Sequence, residues 1–231
     1  MFYFASLVYQ DSLYFGGYPS KEWYDTLVSH GTKIFVDVTT DDEKISFNLY
    51  PYFNDIKNTN LLYCSYPILD NNVPEDVEKF KEFVYQLCEK INSLKAGEKV
   101  YIHCKGGHGR SGMLCAGLLC YLHNIYPERA LGMTTLAHSQ RENLRAKWKT
   151  VRCPQTFKQR KFVIDVFRPI IITPTLYQEK ISSKWVDFLQ ESSIRPIKDK
   201  THSKLLSEVL IHLRKVLMKK GSGQNQVIMC P

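Results

Sequence analysis

The sequence predicts one α/β domain, in which a central and mostly parallel sheet is flanked by helices, followed by a basic helical extension. Short apolar runs rich in β-branched residues alternate with segments of helical periodicity over residues 1–168. A chain of 231 residues is long enough to bury one substantial core. Its 44% hydrophobic and 23% charged residues are typical of globular proteins and exclude disordered, collagen-like and coiled-coil chains.

Residues 1–73 predict a β-α-β arrangement. Two aromatic-rich strands are separated by a turn-forming cluster, and a helix then begins after Ser20, which can cap it, and ends at Gly31. Two apolar runs further on are short enough to be buried strands. Between them, the polar and irregular segment 40–60 is predicted to form a surface loop. The four strands are placed at residues 2–9, 13–15, 34–38 and 61–66.

Residues 74–168 continue the alternation of helices and strands. In the segment 74–94 the apolar residues recur at a spacing of three or four, Pro74 suits the first turn of a helix, and Gly97 suits its exit. A strand at 99–103 leads into a glycine-rich loop and then into an almost wholly apolar segment, which predicts a buried helix. The helices after the loop are placed at residues 113–122, 127–147 and 155–168.

The pattern becomes wholly helical after Pro169 and Pro174, which mark the boundary between a domain over 1–168 and an extension over 169–231. The extension contains two amphipathic stretches, followed by a tail that is expected to be disordered. A helix of this kind can pack on the main domain or on a second copy as a homodimer, or it can contact a membrane surface or nucleic acid. The stretches cover residues 178–191 and 202–220, and the tail covers 221–231.

Charge is distributed unevenly along the chain. Residues 1–140 carry 12 Lys and Arg against 16 Asp and Glu, whereas residues 141–231 carry 19 against 7. The basic end is either a solvated face or a surface for an anion, such as a phosphorylated protein, RNA or an anionic lipid.

The seven cysteines form no CxxC pair, which favours a reducing compartment (cytoplasm or nucleus) and argues against a zinc site. The apolar start MFYFASLVYQD lacks the basic region and the cleavage site of a secretory signal, so we expect it to belong to the fold. No membrane span is expected.

The stretch VYIHCKGGHGRSG predicts a strand that ends in Cys104, a glycine-rich loop and the start of a helix. Gly106, Gly107 and Gly109 allow successive backbone N–H groups to point inward, which forms a nest for a tetrahedral anion beside the helix N-terminus. Arg110 can bind two phosphate oxygens with its planar guanidinium. The same positive field favours the thiolate form of Cys104, which is a nucleophile. The spacing therefore predicts covalent phosphoryl transfer.

The loop HCKGGHGRSG resembles the signature HCxxGxxR(S/T)G of cysteine-dependent protein phosphatases, and it matches every fixed position. The segments FGGYP, FVDVT followed by Glu43, YPILDNNVP and VRCPQTFKQ are similar to dual-specificity-type members of the group that includes the cyclin-dependent-kinase-associated phosphatase. The resemblance spans residues 10–168. It implies a protein-tyrosine-phosphatase-like fold and hydrolysis of phosphate monoesters on proteins through a cysteinyl-phosphate intermediate, with no metal or other cofactor. Phosphotyrosine is the expected substrate, and phosphoserine or phosphothreonine are further candidates.

The resemblance also assigns roles to residues outside the signature. Asp70, 34 residues before Cys104, takes the place of the general acid that protonates the leaving oxygen. Asp76 is the rival, although the start of a helix already explains an acidic residue there. Alternatively, Asp70 forms a turn.

Several further residues are expected to support the two half-reactions. Gln155 looks like the glutamine that positions water, with Gln159 as a supporting residue, and Ser111 like the hydroxyl that stabilises the leaving thiolate. Each has an ordinary explanation as well, as a glutamine at a helix start or a serine helix cap. His103 is expected to hold the loop by hydrogen bonding. The loop residues assigned to phosphate binding are Lys105, Gly106, Gly107, His108, Gly109 and Arg110.

Alternatives remain open at the level of substrate. The positions of Lys105 and His108 also resemble the basic loop of a tensin-related phosphoinositide phosphatase, and the basic C-terminal third is compatible with an RNA 5′-triphosphatase. A phosphoprotein-binding module without turnover is the alternative from another class. Cys64, on a neighbouring predicted strand, is either a structural residue or a disulfide partner of Cys104 under oxidation.

Overall fold

The computed structural model describes residues 2–9, 11–57 and 59–168. Within them, five strands form one sheet in the order β1-β2-β5-β3-β4. The pairing of β1 with β2 is antiparallel, and the other three pairings are parallel. The strands are β1 Ala5–Tyr9, β2 Leu13–Gly16, β3 Thr32–Asp37, β4 Leu62–Ser65 and β5 Lys99–His103. The predicted α/β class with a mostly parallel sheet is confirmed.

Helices flank this sheet. The four short ones have four to nine residues, and the four longer ones have ten to sixteen. The helices are α1 Lys21–Ser29, α2 Asp41–Ser46, α3 Phe53–Ile56, α4 Val77–Asn92, α5 Arg110–His123, α6 Pro127–Ser139, α7 Ala146–Lys149 and α8 Phe157–Val166. Among the described residues, none of these helices combines the length and the apolar character that crossing a bilayer requires.

The middle of the sheet places the start of the glycine-rich loop. Strand β5 lies between β2 and β3, and His103 at its end is in register with Gly16 on one side and Asp37 on the other. Because the carboxyl ends of parallel strands meet at one edge of a sheet, the chain leaves all three strands at the same place. The loop after His103 therefore emerges between its two neighbours at the position where ligands bind in open α/β sheets.

Helix α5 is the centre of the core. Every residue from Arg110 to Leu122 is buried, which agrees with the almost wholly apolar sequence of this segment. The helix packs against α4, α6 and α8 and against strand β5. A Cβ atom added at Gly117 would lie 2.9 Å from the ring of Phe167, so a side chain has no room at this contact.

Two sequence predictions about local structure were wrong. The segment 40–60 contains α2 and α3 rather than one loop, because Thr40 and Glu43 form a capping box that starts α2. The helix predicted over 127–147 ends at Ser139, and α7 follows as a separate turn. The break brings Arg141 inward, where it is buried.

The predicted C-terminal features lie outside the described residues. They are the domain boundary after residue 168, the amphipathic stretches 178–191 and 202–220, and the tail 221–231.

Candidate active site

The loop between β5 and α5 surrounds the Cys104 side chain. Its Sγ atom is buried, accepts a hydrogen bond from the backbone N–H of Gly107 at 3.3 Å, and lies 3.4 Å from the Ser111 hydroxyl. Gly107 has φ +72°, and a Cβ atom there would lie 2.3 Å from the carbonyl carbon of Gly16. Only glycine fits this position, and the tight turn directs a backbone donor at the sulfur.

Arg110 begins α5 and is 1% exposed. Its guanidinium donates to both carboxylate oxygens of Glu43, with Nη2 to Oε1 at 2.8 Å, and Nη1 donates to the carbonyl oxygen of Ile68 at 2.8 Å. The Nε atom is buried and has no hydrogen-bond partner among the described residues. A buried donor without a partner is costly, so an anion bound in the loop would satisfy it.

Glu43 orients this arginine. Burial alone would raise the pKa of Glu43, but the hydrogen bonds and the charge of Arg110 outweigh it and lower that pKa below its usual value. In the sequence, Glu43 was noted only as part of the resemblance to dual-specificity-type phosphatases. Its contact with Arg110 was not predicted. The motif Thr40-x-x-Glu43 was the available signal, because a capping box fixes both the helix and the direction of the glutamate.

The structure brings Asp70 to the arginine as well. Its Oδ1 atom lies 2.8 Å from Nη2 of Arg110, and its side chain is 59% exposed. The carboxylate is therefore at the mouth of the site and accessible to substrate. Asp76 instead caps α4, where it accepts from the N–H of Lys79 at 3.0 Å and pairs with the ammonium of that residue. The helix-cap explanation of Asp76 is confirmed.

His103 supports the loop from below. Its Nε2 atom lies 2.6 Å from the hydroxyl of Tyr52, and its Nδ1 atom lies 3.8 Å from the Asp37 carboxylate. Burial lowers the pKa of His103 to about 4 despite the opposing effect of Asp37, so its ring is neutral at pH 7. Tyr52 is fully buried and belongs to the core.

The two variable loop positions do not add two free cations. The ammonium of Lys105 lies over the ring of Phe47 at 3.0 Å from its centroid. His108 hydrogen-bonds His138 at 2.9 Å and stacks on Trp148 with ring centroids 4.1 Å apart. Burial, with smaller effects of nearby cations, lowers the pKa of His108 to about 4, so its side chain is uncharged at pH 7. The resemblance of these two positions to the basic loop of a phosphoinositide phosphatase therefore does not extend to two free cationic side chains.

The two glutamines occupy different places. Gln155 is half-buried, and its backbone N–H donates to the carbonyl oxygen of His108 at 3.1 Å, which ties it to the loop. Gln159 is fully buried, and its Nε2 donates to the carbonyl oxygen of Asn72 at 3.0 Å. A Cβ atom at Gly109 would lie 2.8 Å from the Gln159 side chain. Gln159 thus joins the phosphate loop to the segment that carries Asp70.

Arg141 is a supporting residue that the sequence did not reveal. It is 4% exposed, and its guanidinium donates to the carbonyl oxygens of Gly107 at 3.0 Å and of Phe15 at 3.3 Å. The arginine therefore holds the back of the loop through the carbonyl group of Gly107, joins it to β2 through Phe15, and leaves the N–H groups of the loop available. Its place in a stretch predicted to be helical concealed this role.

Comparison with known proteins identifies the family of the domain. The family model described as "Dual specificity phosphatase, catalytic domain" matches residues 13–152, which include the whole loop. The chain belongs to this family.

Two viral proteins are similar to this phosphatase domain in sequence. "Putative tyrosine phosphatase 197R" of Invertebrate iridescent virus 6 is 45% identical over 126 residues, which are 54% of this chain and 45% of that protein. "Putative tyrosine phosphatase 067L" of Invertebrate iridescent virus 3 is 36% identical over 180 residues, which are 78% of this chain and 72% of that protein. The chain thus matches less than half the length of the first relative.

Solved structures share the fold of the phosphatase domain. Tk-PTP in its active form has a TM-score of 0.56 and 22% identity, covering 72% of this chain and 97% of that chain. The kinase associated phosphatase has a TM-score of 0.51 and 23% identity, covering 65% of this chain and 83% of that chain. At these identities the likeness concerns the fold alone.

A cavity of about 450 Å³ lies beside the segment that carries Asp70 and not over Cys104. Its walls come from the end of β4, the segment itself and the start of α4, and none comes from the phosphate loop. This cavity is therefore separate from the reacting sulfur.

Cys64 lies too far away for a simple disulfide with Cys104. In β4 it is in register with Val36, which in turn is in register with Ile102, two strands away. Two strand spacings place the Cα atoms of Cys64 and Ile102 about 10 Å apart, beyond the span of a disulfide, and Cys104 lies two residues further along the chain than Ile102. Such a bond would need the backbone of the phosphatase domain to move.

Proposed function

We propose that this phosphatase domain hydrolyses phosphate monoesters on proteins, with phosphotyrosine as the main substrate and phosphoserine or phosphothreonine as further substrates. One observation carries the proposal. The Cys104 sulfur and the unpartnered Nε of Arg110 belong to one anion loop, with the exposed carboxylate of Asp70 at its mouth.

In the first step the Cys104 thiolate attacks phosphorus, and the bond from phosphorus to the tyrosine oxygen breaks. Arg110 and the N–H groups of the loop stabilise the negative charge on the equatorial oxygens. Asp70, in its protonated form, donates its proton to the leaving phenolic oxygen. The products are a cysteinyl phosphate, the free tyrosine side chain and the Asp70 carboxylate.

In the second step water attacks the cysteinyl phosphate, and Asp70 accepts the proton that the water loses. Gln155, which is tied to the loop at His108, is the residue to position this water. The Ser111 hydroxyl, 3.4 Å from the sulfur, donates to the thiolate as it leaves. Inorganic phosphate departs, and the thiolate and the protonated Asp70 are restored.

Phosphate release from a phosphotyrosine peptide and from a 5′-triphosphate RNA is the direct comparison of substrates. We expect release from the peptide and none from the RNA, with Cys104→Ser as the blank in each case. The neutral His108 and the engaged Lys105 argue against a polyphosphorylated lipid headgroup. Faster release from the RNA would contradict the proposal, and tight peptide binding without any turnover would favour a binding module.

Two matched aspartate variants test the general acid. Asp70→Asn is expected to slow hydrolysis of phenyl phosphate about 100-fold and that of 4-nitrophenyl phosphate much less, because nitrophenolate leaves without protonation. Asp76→Asn is the control and should stay within about two-fold of wild type on both. Equal losses on the two substrates would show that Asp70 only holds Arg110.

We also propose a reducing location, in the cytoplasm or the nucleus, since an oxidised Cys104 cannot attack phosphorus. The basic residues of 169–231 are proposed to contact RNA, an anionic lipid or a second copy of the chain. Light scattering of the full chain and of a chain ending at residue 168 tests the dimer. We expect the mass of a dimer for the full chain and the mass of a monomer for the shorter chain.

A further inference from the structure

Four exposed cations lie within four residues of Trp148 in the sequence, and Trp148 itself stacks on His108 of the phosphate loop. Within residues 141–152 the only acidic residue is Glu142, and no ion pair with any other described residue neutralises the four cations. Lys147 contacts the ring of Trp148 with its ammonium 5.2 Å from the centroid. We call this surface the basic strip, and its members are Arg145, Lys147, Lys149 and Arg152.

The basic strip is attached to the phosphate loop at several points. Trp148 stacks on His108 with an angle of 13° between the rings, and His108 is held in turn by His138. Two residues that follow the strip in the sequence bind the carbonyl oxygen of His108. The thiol of Cys153 donates to it at 3.2 Å, and so does the backbone N–H of Gln155. The segment that carries the cations is therefore held against the phosphate loop through Trp148 and through the residues that follow the strip.

Like charges at this density repel one another unless an anion lies between them. The carboxylates of Glu43 and Asp70 both face Arg110 and are already paired with it. The cations of the basic strip, in contrast, have no counter-charge among the described residues.

We infer that the basic strip binds a second acidic group of the substrate protein, an Asp, a Glu or a phosphorylated side chain a few residues from the scissile phosphate. This inference rests on the proposed function and specifies its substrate class. Trp148 favours a peptide over RNA, because His108 and Lys147 already occupy its ring, whereas single-stranded RNA needs free aromatic faces on which to stack.

Three phosphotyrosine peptides test the inference, with glutamates, glutamines or lysines on both sides of an identical centre. At low salt kcat/KM should be about ten-fold higher for the glutamate peptide than for the glutamine peptide, and the preference should shrink at 0.5 M salt. The triple change Arg145→Gln, Lys149→Gln and Arg152→Gln should remove the preference and leave hydrolysis of the glutamine peptide unchanged.

A second triple variant controls for net charge. Lys21→Gln, Lys57→Gln and Lys95→Gln remove three exposed cations elsewhere and should keep the ten-fold preference. Equal kcat/KM for the glutamate and glutamine peptides, or a preference that survives loss of the basic strip, would overturn the inference while the proposed function stands. Hydrolysis of 5′-triphosphate RNA that is lost in the strip variant would overturn the inference and would also contradict the expectation of no release from RNA. Absence of Cys104-dependent release from every peptide would overturn both.

Discussion

The contact of Glu43 with Arg110 allows a quantitative prediction about both stability and activity. Glu43→Gln keeps the shape of the side chain but removes its charge and turns one acceptor into a donor. The guanidinium of Arg110 then loses at least one of its two hydrogen bonds to residue 43. Ile68 and Asp70 remain as partners, the latter exposed to water.

The expected magnitude follows from burial. Removing one partner of a fully buried ion pair costs about 3–5 kcal/mol. The arginine is 1% exposed but the Glu43 side chain is 13% exposed, so water can replace part of the lost contact. We therefore expect the free energy of unfolding to fall by about 2 kcal/mol. A misdirected arginine should also lower kcat/KM by about 10- to 100-fold.

Urea unfolding followed by circular dichroism measures the first effect, and phosphate release from a phosphotyrosine peptide measures the second. Asp42→Asn, an exposed carboxylate on the same helix, is the control and should change the free energy of unfolding by less than about 0.5 kcal/mol. A Glu43→Gln variant as stable and as active as wild type would refute the argument that Glu43 orients Arg110.

Three further predictions concern the loop and its support. Ser111→Ala should slow breakdown of the cysteinyl phosphate more than its formation, so that stopped-flow kinetics shows a burst of phenol release. Gly107→Ala should cost more than about 3 kcal/mol and abolish activity, whereas Gly97→Ala, also at positive φ but with nothing within 4 Å, should cost about 1 kcal/mol by urea titration. Because burial lowers the pKa of His103 to about 4, the unfolded state binds its proton first as the pH falls below 6.5. The contribution of His103 to the free energy of unfolding should then fall by about 2–3 kcal/mol between pH 7 and pH 4.5, so the total fall over this range should be smaller by about that amount in His103→Asn.

Sequence alone located the reacting group because its signals are local. The loop from Cys104 to Ser111 encodes its own turn through glycines and its own helix start, and the structure places the sulfur, the hydroxyl and Arg110 together as the spacing predicts. Asp70 was found through resemblance and not through spacing, since 34 residues of intervening chain fix no distance. Its position beside Arg110 depends on the folded sheet.

The parts that sequence did not reveal depend on tertiary contacts. Arg141 interrupts a helical pattern, and only the folded chain shows that its guanidinium reaches the carbonyl oxygen of Gly107. The sequence did not show that His108 stacks on Trp148, 40 residues away, where partial burial lowers the pKa of its ring. Propensity and periodicity carry no information about which distant side chain covers a loop.

Detection of the covalent intermediate tests the central claim most directly. The protein is mixed with a phosphotyrosine peptide labelled with ³²P, quenched in acid within milliseconds, digested and sequenced by mass spectrometry. The account predicts label on Cys104, more of it in Ser111→Ala, and none in Cys104→Ser. The account would be contradicted if the wild-type protein hydrolysed the peptide while neither it nor Ser111→Ala carried label on Cys104.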